Sequence, residues 1–342
     1  MIDLRSDTST RPTPAMREAM AKAEVGDDVL REDPTINSLE ERCAGMMGME
    51  AGLYVASGTM GNLIAVYAHT QPGDEVIIEA GAHIGLYEAA GYAVLSGVAL
   101  NKLQGRPYGA LDPNEIRDAI APDDVHRART SLVCLENTHN LSSGTVTTPE
   151  QTKAIADVAR ANGMKLHIDG ARIFNAATHL GVDASVMVEH VDSIQFCFSK
   201  GLAAPVGSMV CGTSEFIHQC RRARKLVGGG MRQAGVLAAA CHVALDTILP
   251  RLGEDHANAR VIAEKLATLN GVSVDLNAIQ TNIIRFSISA DAAEGDHVVA
   301  WMKERDILVD GRGGQNFRIV THNDVSAEDA QTVADAFGEL LG

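Results

Sequence analysis

The sequence has no paired cysteines, no long apolar run and no excess of positive charge. Its six cysteines are scattered and form no Cys-x-x-Cys pair, which argues against a disulfide framework and a zinc site. The net charge is −15, which argues against nucleic acid and acidic lipid as partners. No apolar run reaches the roughly 18 residues that a membrane span needs, and residues 1–5 do not begin a signal peptide. We therefore expect a cytoplasmic protein that binds neither nucleic acid nor membrane.

Three motifs of nucleotide and metal sites are also absent. No glycine-rich turn ends in Gly-Lys-Ser/Thr, so there is no P-loop. The Gly-x-Gly-x-x-Gly fingerprint is missing, which lowers the expectation of a nicotinamide cofactor. None of the twelve histidines has His-Glu-x-x-His spacing, and we predict no metal site.

The length and composition indicate a globular protein of two domains. The chain has 342 residues, of which 46% are hydrophobic and 21% charged, and that length exceeds one ordinary core. Strands and helices alternate up to about residue 212, which predicts an α/β domain with a mainly parallel sheet. After Pro250 they mix without that rhythm, which predicts a smaller α+β domain. We predict an N-terminal arm over residues 1–12, a large domain over 13–248 and a small domain over 249–342.

Capping residues predict where several helices begin. Thr13-Pro14 opens one helix, and Thr148 with Gln151 forms a capping box at the start of another. A further helix is predicted over residues 87–93. Strands of the large domain are predicted at residues 54–55, 75–79, 131–135, 164–169, 191–200 and 206–212.

Two of these strands end in residues whose side chains can take part in a reaction. One runs into Asp169 and the other into Lys200. Open α/β sheets bind ligands at the carboxyl ends of their strands. A lysine there can form a Schiff base, and an aspartate can hold a protonated ring nitrogen. The pair therefore suggests pyridoxal phosphate (PLP) as the cofactor.

Other segments allow both a functional and a structural interpretation. Residues 57–62 place small residues at a helix N-terminus, where a phosphate binds well, but a tight turn explains them equally. His83 and His126 lie in loops, where a histidine moves a proton, stacks on a cofactor or does neither. Arg172 and Arg318 are suited to clamp a carboxylate or to form structural ion pairs. The basic run 221–225 is either a solvated helix face or a phosphate partner at a subunit interface.

The order of short motifs along nearly the whole chain resembles the low-specificity L-threonine aldolases. That family has the aspartate-aminotransferase fold and is close to the β-eliminating lyases. The motifs that carry the resemblance include Leu4-Arg5-Ser6-Asp7-Thr8, Ser57-Gly58-Thr59-Met60-Gly61-Asn62, His167-Ile168-Asp169-Gly170-Ala171-Arg172, Ser199-Lys200-Gly201 and Gly228-Gly229-Gly230-Met231-Arg232-Gln233. The resemblance implies fold type I, with a seven-stranded sheet in the large domain.

The resemblance also implies a role for each matching residue. Lys200 would carry the Schiff base, Asp169 would pair with the ring nitrogen, and His83 would stack on the ring. Catalysis would involve Lys200, His83, His126 and Asp169, with His83 and His126 as candidate bases. The cofactor would be held by Gly58, Thr59, His83, Asp169, Arg172, Lys200, Lys225 and Arg232. The substrate would be bound by Ser6, Tyr87, Arg172 and Arg318.

The implied reaction is cleavage of L-threonine or L-allo-threonine to glycine and acetaldehyde, and the reverse condensation. Such enzymes share active sites between subunits, so a homodimer or homotetramer is expected. Three alternatives remain: another PLP reaction on the same scaffold (racemisation, β-elimination or transamination), a nicotinamide-dependent oxidoreductase, and a protein that serves only as a binding module.

Overall fold

The computed structural model describes residues 1–342 and contains thirteen strands and fourteen α-helices. The strands are β1 (Ile2–Asp3), β2 (Ala51–Val55), β3 (Glu75–Glu79), β4 (Ala99–Leu103), β5 (Thr130–Glu136), β6 (Lys165–Asp169), β7 (Ser193–Cys197), β8 (Ser208–Gly212), β9 (Val272–Val274), β10 (Ile283–Ile288), β11 (Ile307–Leu308), β12 (Asp310–Gly311) and β13 (Asn316–Val320). The helices are α1 (Pro14–Lys22), α2 (Pro34–Met47), α3 (Gly58–His69), α4 (His83–Leu86), α5 (Gly91–Ser96), α6 (Pro113–Ala119), α7 (Pro149–Ala161), α8 (Ile173–Leu180), α9 (Ala184–Val188), α10 (Ser214–Leu226), α11 (Gly235–Thr247), α12 (Leu252–Leu266), α13 (Gly295–Lys303) and α14 (Ala327–Leu341).

The large sheet has seven strands in the order β2-β8-β7-β6-β5-β3-β4. Only β8 runs against its neighbours, β2 and β7, and the other pairs are parallel. All residues of β5, β7 and β8 are buried, as expected of sheets covered by helices on both faces. The prediction of a mainly parallel seven-stranded sheet is confirmed.

The small domain is built on a second, antiparallel sheet in the order β12-β13-β10-β9. Helices α12 and α14 pack together beside it. A core cluster of 22 residues fills this domain, whereas a cluster of 41 residues, from Met16 to Leu252, fills the large one. Leu252 belongs to the large-domain core and Leu249 packs against it, so that core extends past residue 248, and the division into residues 13–248 and 249–342 stays a prediction.

The N-terminal segment is ordered and joins the two domains. Strand β1 pairs in parallel with β11 of the small domain, and Leu4 belongs to the small-domain core. Three residues later Asp7 is buried against Arg172 of the large domain. The predicted arm of residues 1–12 is therefore a structural bridge beside the ends of the large sheet.

The predicted helix starts agree with the structure. Thr13 caps α1 and its hydroxyl accepts from the amide of Met16, with Pro14 in the first helical position. Thr148 and Gln151 form both hydrogen bonds of a capping box at α7. These caps satisfy amides that the first turn of a helix leaves without partners.

The predicted helix over residues 87–93 is wrong. The chain forms two short helices, α4 and α5, with a turn between them in which Ala89 and Ala90 have φ of 52° and 54°. Alanine rarely adopts this left-handed conformation. The turn directs the side chain of Glu88 into the interior, where it is 7% exposed, so a buried polar contact replaces the expected helix.

One helical stretch, Gly235–Leu266, is by length and composition alone long and apolar enough to cross a membrane. In the structure it consists of α11, a short 3-10 helix with Pro250 at its centre, and α12. Half of its most apolar 18-residue segment is buried. Ala238, Cys241 and Leu252 belong to the core of the large domain. Its hydrophobicity is thus accounted for by core packing.

All six cysteines are buried and free of disulfides, which fits their interpretation as small core residues.

Candidate active site

The carboxyl ends of the parallel strands converge at one edge of the large sheet. Strand β6 ends at Asp169, and Lys200 follows three residues after β7. Strand β5 ends at Glu136, and the loop after β3 leads to His83 at the start of α4. This edge is where open α/β sheets bind their ligands.

A cavity of about 210 Å³ opens at this edge, between the large sheet and the small domain. Seven of the twelve predicted site residues line it: Ser6, His83, Tyr87, Asp169, Arg172, Lys200 and Arg318. The other lining residues are Thr8, Glu136, Asn140, Ala171 and Arg312. Residues far apart in sequence therefore meet in one pocket.

Asp169 is a buried carboxylate that stays ionised. Its Oδ1 accepts from Gln195 Nε2 at 2.7 Å, and its Oδ2 accepts from Asn62 Nδ2 at 2.9 Å. Burial favours the neutral acid, but the charges of His83 and Lys200 and these two hydrogen bonds outweigh it and lower the pKa of Asp169. A carboxylate held in this way is suited to stabilise a cationic ring nitrogen.

Lys200 lies in the turn that follows β7 and makes no ion pair within 4.0 Å of any acid in the chain. Its backbone carbonyl accepts from the hydroxyl of Thr10 at 3.2 Å, which fixes the turn against the N-terminal segment. The ammonium group nevertheless contributes to the lowered pKa of both Asp7 and Asp169. An unpaired amine in a pocket of this kind is available for covalent chemistry with a carbonyl.

A hydrogen-bonded chain connects His83 with Asp169. His83 Nδ1 lies 2.8 Å from Glu88 Oε1, and Asn62 Nδ2 donates both to Glu88 Oε1 at 2.8 Å and to Asp169 Oδ2. Burial opposes a positive imidazole, but the Glu88 hydrogen bond and the Asp169 charge raise the pKa of His83. Burial also raises the pKa of Glu88, with Asp169 adding to it. His83 Nδ1 therefore donates to Glu88, and His83 Nε2 has no partner in the chain.

The residues His83, Glu88 and Asp169 also have the residue types of a metal site. Ligand atoms of His83, Glu88 and Asp169 lie within 4.8 Å of one another. The hydrogen bonds through Asn62 account for this closeness, since each carboxylate already has a donor. We therefore interpret the cluster as a proton-holding network.

Replacing Glu88 by glutamine tests this network. The substitution removes the charge that supports a protonated His83, so the pKa of His83 should fall and the acid limb of the kcat/KM profile should move to lower pH. We expect kcat/KM at neutral pH to fall by at least about tenfold, since a misoriented base loses much of its effect. The pH profile is the measurement, and Glu115→Gln, at an exposed glutamate, is the control. An acid limb that does not move would contradict the network.

Arg172 and Arg318 lie on the side of the pocket that faces the N-terminal segment. Arg172 Nε and Nη2 each bind a carboxylate oxygen of Asp7 at 2.6 Å, and both residues are buried. Burial opposes ionisation, but Arg172 outweighs it and holds the pKa of Asp7 well below its usual range. Arg318 makes only one hydrogen bond, Nη1 to the carbonyl of Arg5 at 3.4 Å, and its buried Nε has no partner. Arg318 Nε and Arg172 Nη1 are left free to bind an anion.

The buried pair predicts a large effect of Asp7→Asn on stability. The substitution leaves the Arg172 charge buried without its acid, which costs about 3–5 kcal/mol of the free energy of unfolding. Because the pKa of Asp7 is depressed in the folded state, this contribution is complete above about pH 4 and declines as the pH falls below it. Denaturant unfolding at neutral and acidic pH measures it. Asp3→Asn is a matched control, since Asp3 pairs with the exposed Arg5 and should change stability by about 1 kcal/mol or less. Equal losses in the two variants would contradict the assignment.

Gly58 and Thr59 begin α3 at the same edge of the sheet. Their backbone amides have no acceptor within the chain, whereas the next amide, Met60, donates to the hydroxyl of Ser57. A Cβ atom on Gly58 would lie 2.8 Å from Cys197 Sγ, so only glycine fits there. Free amides at the N-terminus of a twelve-residue helix are suited to a phosphate.

Three predicted residues are not brought to the pocket within one chain. His126 lies in an exposed loop, 85% exposed, with Nδ1 bound to Asp124. Arg232 is exposed and pairs with Asp27 at 2.8 Å. Lys225, in the last turn of α10, lines a separate basic cavity. The structure of one chain gives none of them a role in this pocket, and their predicted roles stay predictions about an assembly.

Sequence reasoning missed four residues of the site. Asp7 and Asn62 stand inside motifs of the resemblance, which assigns neither of them a role. Glu136 accepts the amide of His83 at 2.7 Å, and burial raises its pKa. Glu88 and Asn62 link His83 to Asp169. The only local signal was an acid or amide next to an expected site residue, which does not show where its side chain points.

Comparison with known proteins identifies the family of this chain. A family model described as β-eliminating lyase matches residues 3–289. The chain belongs to the β-eliminating lyase family. The resemblance found in the sequence is confirmed, because the low-specificity L-threonine aldolase 1 of Arabidopsis thaliana is 43% identical over 99% of this chain and 96% of its own length.

Solved structures place this β-eliminating lyase family member in a known fold. The Leishmania major threonine aldolase has a TM-score of 0.85 and 18% identity, with 100% of each chain covered. An aspartate aminotransferase from Thermus thermophilus has a TM-score of 0.75 and 18% identity, with 99% of each chain covered. At this identity the likeness shows the fold, and it confirms the predicted aspartate-aminotransferase fold.

Proposed function

We propose that this member of the β-eliminating lyase family is a PLP-dependent aldolase. It cleaves L-threonine and L-allo-threonine to glycine and acetaldehyde and catalyses the reverse condensation. The observation that carries the proposal is the meeting of an unpaired lysine, an ionised buried aspartate and a partly unpaired arginine in one pocket: Lys200, Asp169 and Arg318. The full-length relatedness to an L-threonine aldolase supports the choice of reaction.

The residues present fit PLP. The free amides of Gly58 and Thr59 suit its phosphate, the ionised Asp169 suits its ring nitrogen, and the Lys200 amine suits its aldehyde. A Cβ atom on Gly58 would lie 3.3 Å from Gln195 Oε1, and Gln195 donates to Asp169, so Gln195 lies between the phosphate end and the ring end of the site. When bound, PLP supplies an electron sink for the negative charge that develops on Cα of the substrate.

The arginines fix the orientation of the substrate. Arg318 Nε and Arg172 Nη1 are the donors left free for the substrate carboxylate, and Asp7 keeps the Arg172 guanidinium in place. Fixing the carboxylate sets the rotation about the bond between the amino nitrogen and Cα. The bond from Cα to Cβ is thereby aligned for cleavage.

His83 is the base of the proposed reaction. Its Nδ1 is engaged by Glu88, so the lone pair of Nε2 is available to accept the proton of the substrate hydroxyl. Loss of that proton allows the carbonyl of acetaldehyde to form as the bond between Cα and Cβ breaks. Glu88 and Asn62 keep the imidazole oriented while it takes up and returns the proton. Tyr87, whose ring lies 5.4 Å from that of His83, forms one wall of the pocket.

A homodimer or homotetramer and a cytoplasmic location complete the proposal. The assembly would provide a place for His126, Lys225 and Arg232, which lie outside the pocket of their own chain. Light scattering on a sizing column measures the assembly, and two or four chains are expected.

A product assay tests the reaction against its alternatives. The PLP-loaded protein is incubated with L-threonine, L-allo-threonine, serine and alanine, and glycine, aldehyde, ammonia and changes in chirality are measured. Glycine and acetaldehyde in equal amounts are expected from both threonines. Inverted alanine would favour a racemase, ammonia with an oxo acid would favour β-elimination, and an oxo acid without ammonia would favour transamination. A colourless protein that binds NAD would favour an oxidoreductase, and binding of PLP and amino acid without turnover would favour a binding module.

A further inference from the structure

The small-domain sheet carries a row of charged residues, of which Arg312 and Arg318 line the pocket. Arg285 of β10 and Asp310 of β12 are both register partners of Arg318 on β13. Directly opposed residues on adjacent antiparallel strands point to the same face, so all three lie on the face that contains the pocket residue Arg318. Arg312, two residues after Asp310, also lines the pocket. This face therefore combines three arginines with one acid.

The acid does not neutralise the arginines. Arg312 Nε binds Asp310 at 2.9 Å, but Arg285 and Arg318 form no ion pair within 4.0 Å in the chain. Both have a buried donor without a hydrogen-bond partner, Arg285 Nη1 and Arg318 Nε. Burial and Arg312 lower the pKa of Arg285, and burial, Arg172 and Arg312 lower that of Arg318 to about 10.

Such a cluster costs free energy in the protein without a ligand. Like charges directly opposite on adjacent strands are destabilising, and a buried donor without a partner adds to the cost. The cluster does not follow from composition, because the net charge of the whole chain is −15. An anion that binds against this face would offset the repulsion and satisfy the free donors.

One substrate carboxylate does not use all of these donors. Arg318 and the free Nη1 of Arg172 bind the carboxylate on Cα in the proposed complex. Arg312, which keeps its Nη groups free, follows β12, and Arg285 lies on β10, so the two flank Arg318 on either side. The charge of Arg312 nevertheless acts on Arg285, and both remain for a second anion. Guanidinium groups bind carboxylates through two parallel hydrogen bonds.

We infer that Arg312 and Arg285 form a subsite for a carboxylate on Cβ of the substrate. The inference rests on the proposed function and names its substrate class: β-hydroxy-α-amino acids that carry a second carboxylate, such as 3-hydroxyaspartate. His83 takes the hydroxyl proton, the bond between Cα and Cβ breaks, and Cβ leaves as the aldehyde carbon of glyoxylate. Cα gains a proton to give glycine, so no oxidant or further reactant is needed.

A comparison of kcat/KM between substrates with and without a carboxylate on Cβ tests the subsite directly. The PLP-loaded protein is assayed with L-threonine and with each diastereomer of 3-hydroxyaspartate, and kcat/KM is determined from glycine formed. We expect at least one diastereomer to be cleaved, and the ratio of its kcat/KM to that of L-threonine to fall by about tenfold or more in Arg312→Gln and in Arg285→Gln. Arg305→Gln, which removes an exposed arginine stacked on Trp301, should leave the ratio unchanged.

A measurement on the unmodified protein keeps the test independent of variant folding. Added sodium chloride should raise the KM for 3-hydroxyaspartate more than the KM for L-threonine, because the second ion pair is partly screened. Cleavage of L-threonine but of neither diastereomer would overturn the subsite and leave the proposed function intact. An unchanged ratio in both arginine variants would overturn it too and would indicate a structural role. Absence of glycine from every substrate would overturn the proposed function, and the subsite with it.

Discussion

Lys200→Ala is expected to lower kcat for L-threonine cleavage by at least about 10⁴-fold and to remove the absorbance band that depends on covalent attachment of the cofactor to a lysine. Lys200 is the only lysine that lines the pocket, and its amine has no acid partner that would hold it away from a carbonyl. Without it the cofactor has no covalent attachment. Steady-state kinetics and a visible spectrum of the purified variant measure both effects.

Lys165→Ala is a matched control for this variant. Lys165 begins β6 at the opposite edge of the same sheet, where it pairs with Asp192 on the surface. Its removal should change neither the spectrum nor kcat. If Lys200→Ala kept the absorbance band of the unmodified protein, Lys200 would not be the attachment residue.

Asp169→Ala is expected to retain part of the bound cofactor but to lower kcat by about 10³-fold. The phosphate contacts at Gly58 and Thr59 and the amine of Lys200 remain, so binding is weakened rather than lost. The electron sink depends on a positive ring nitrogen, and the ionised Asp169 is the buried carboxylate that stabilises such a charge. The substitution should therefore lower kcat far more than it lowers the ratio of bound cofactor to protein.

Asp192→Asn provides the comparison for Asp169. Asp192 precedes β7 at the opposite edge of the sheet and is partly exposed, so its loss should leave cofactor content and kcat near those of the unmodified protein. A normal kcat in Asp169→Ala, with cofactor bound, would show that the electron sink does not depend on this carboxylate.

The parts of the site that the sequence predicted are those set by local pattern. Asp169 and Lys200 were found because each directly follows an apolar run with the length of a buried strand, and strand ends in such sheets meet at one edge. Thr13 and Thr148 were found because capping depends on residues within one turn. The edge strand β4 was missed because its residues are partly exposed and include Asn101 and Lys102, which weakens the apolar signal.

The parts that were missed depend on contacts between distant segments. Asp7 binds Arg172 across 165 positions of sequence, and no periodicity in either segment predicts the pair. Glu88 occupies the interior because two alanines adopt a left-handed turn, against their local preference. The predicted role of His126 depends on contacts between chains, because its side chain is exposed within a single chain. The row formed by Arg285 and Arg318 depends on strand register, which the sequence alone does not determine.

The most direct test of the central claim, that Lys200 and Asp169 form a PLP site for amino acids, is a visible spectrum of the purified protein before and after addition of glycine. The account predicts a visible absorbance band from the covalently bound cofactor, and a shift of that band when glycine replaces Lys200 as the amine. A protein that stays colourless after incubation with PLP, or a band that glycine does not alter, would contradict it.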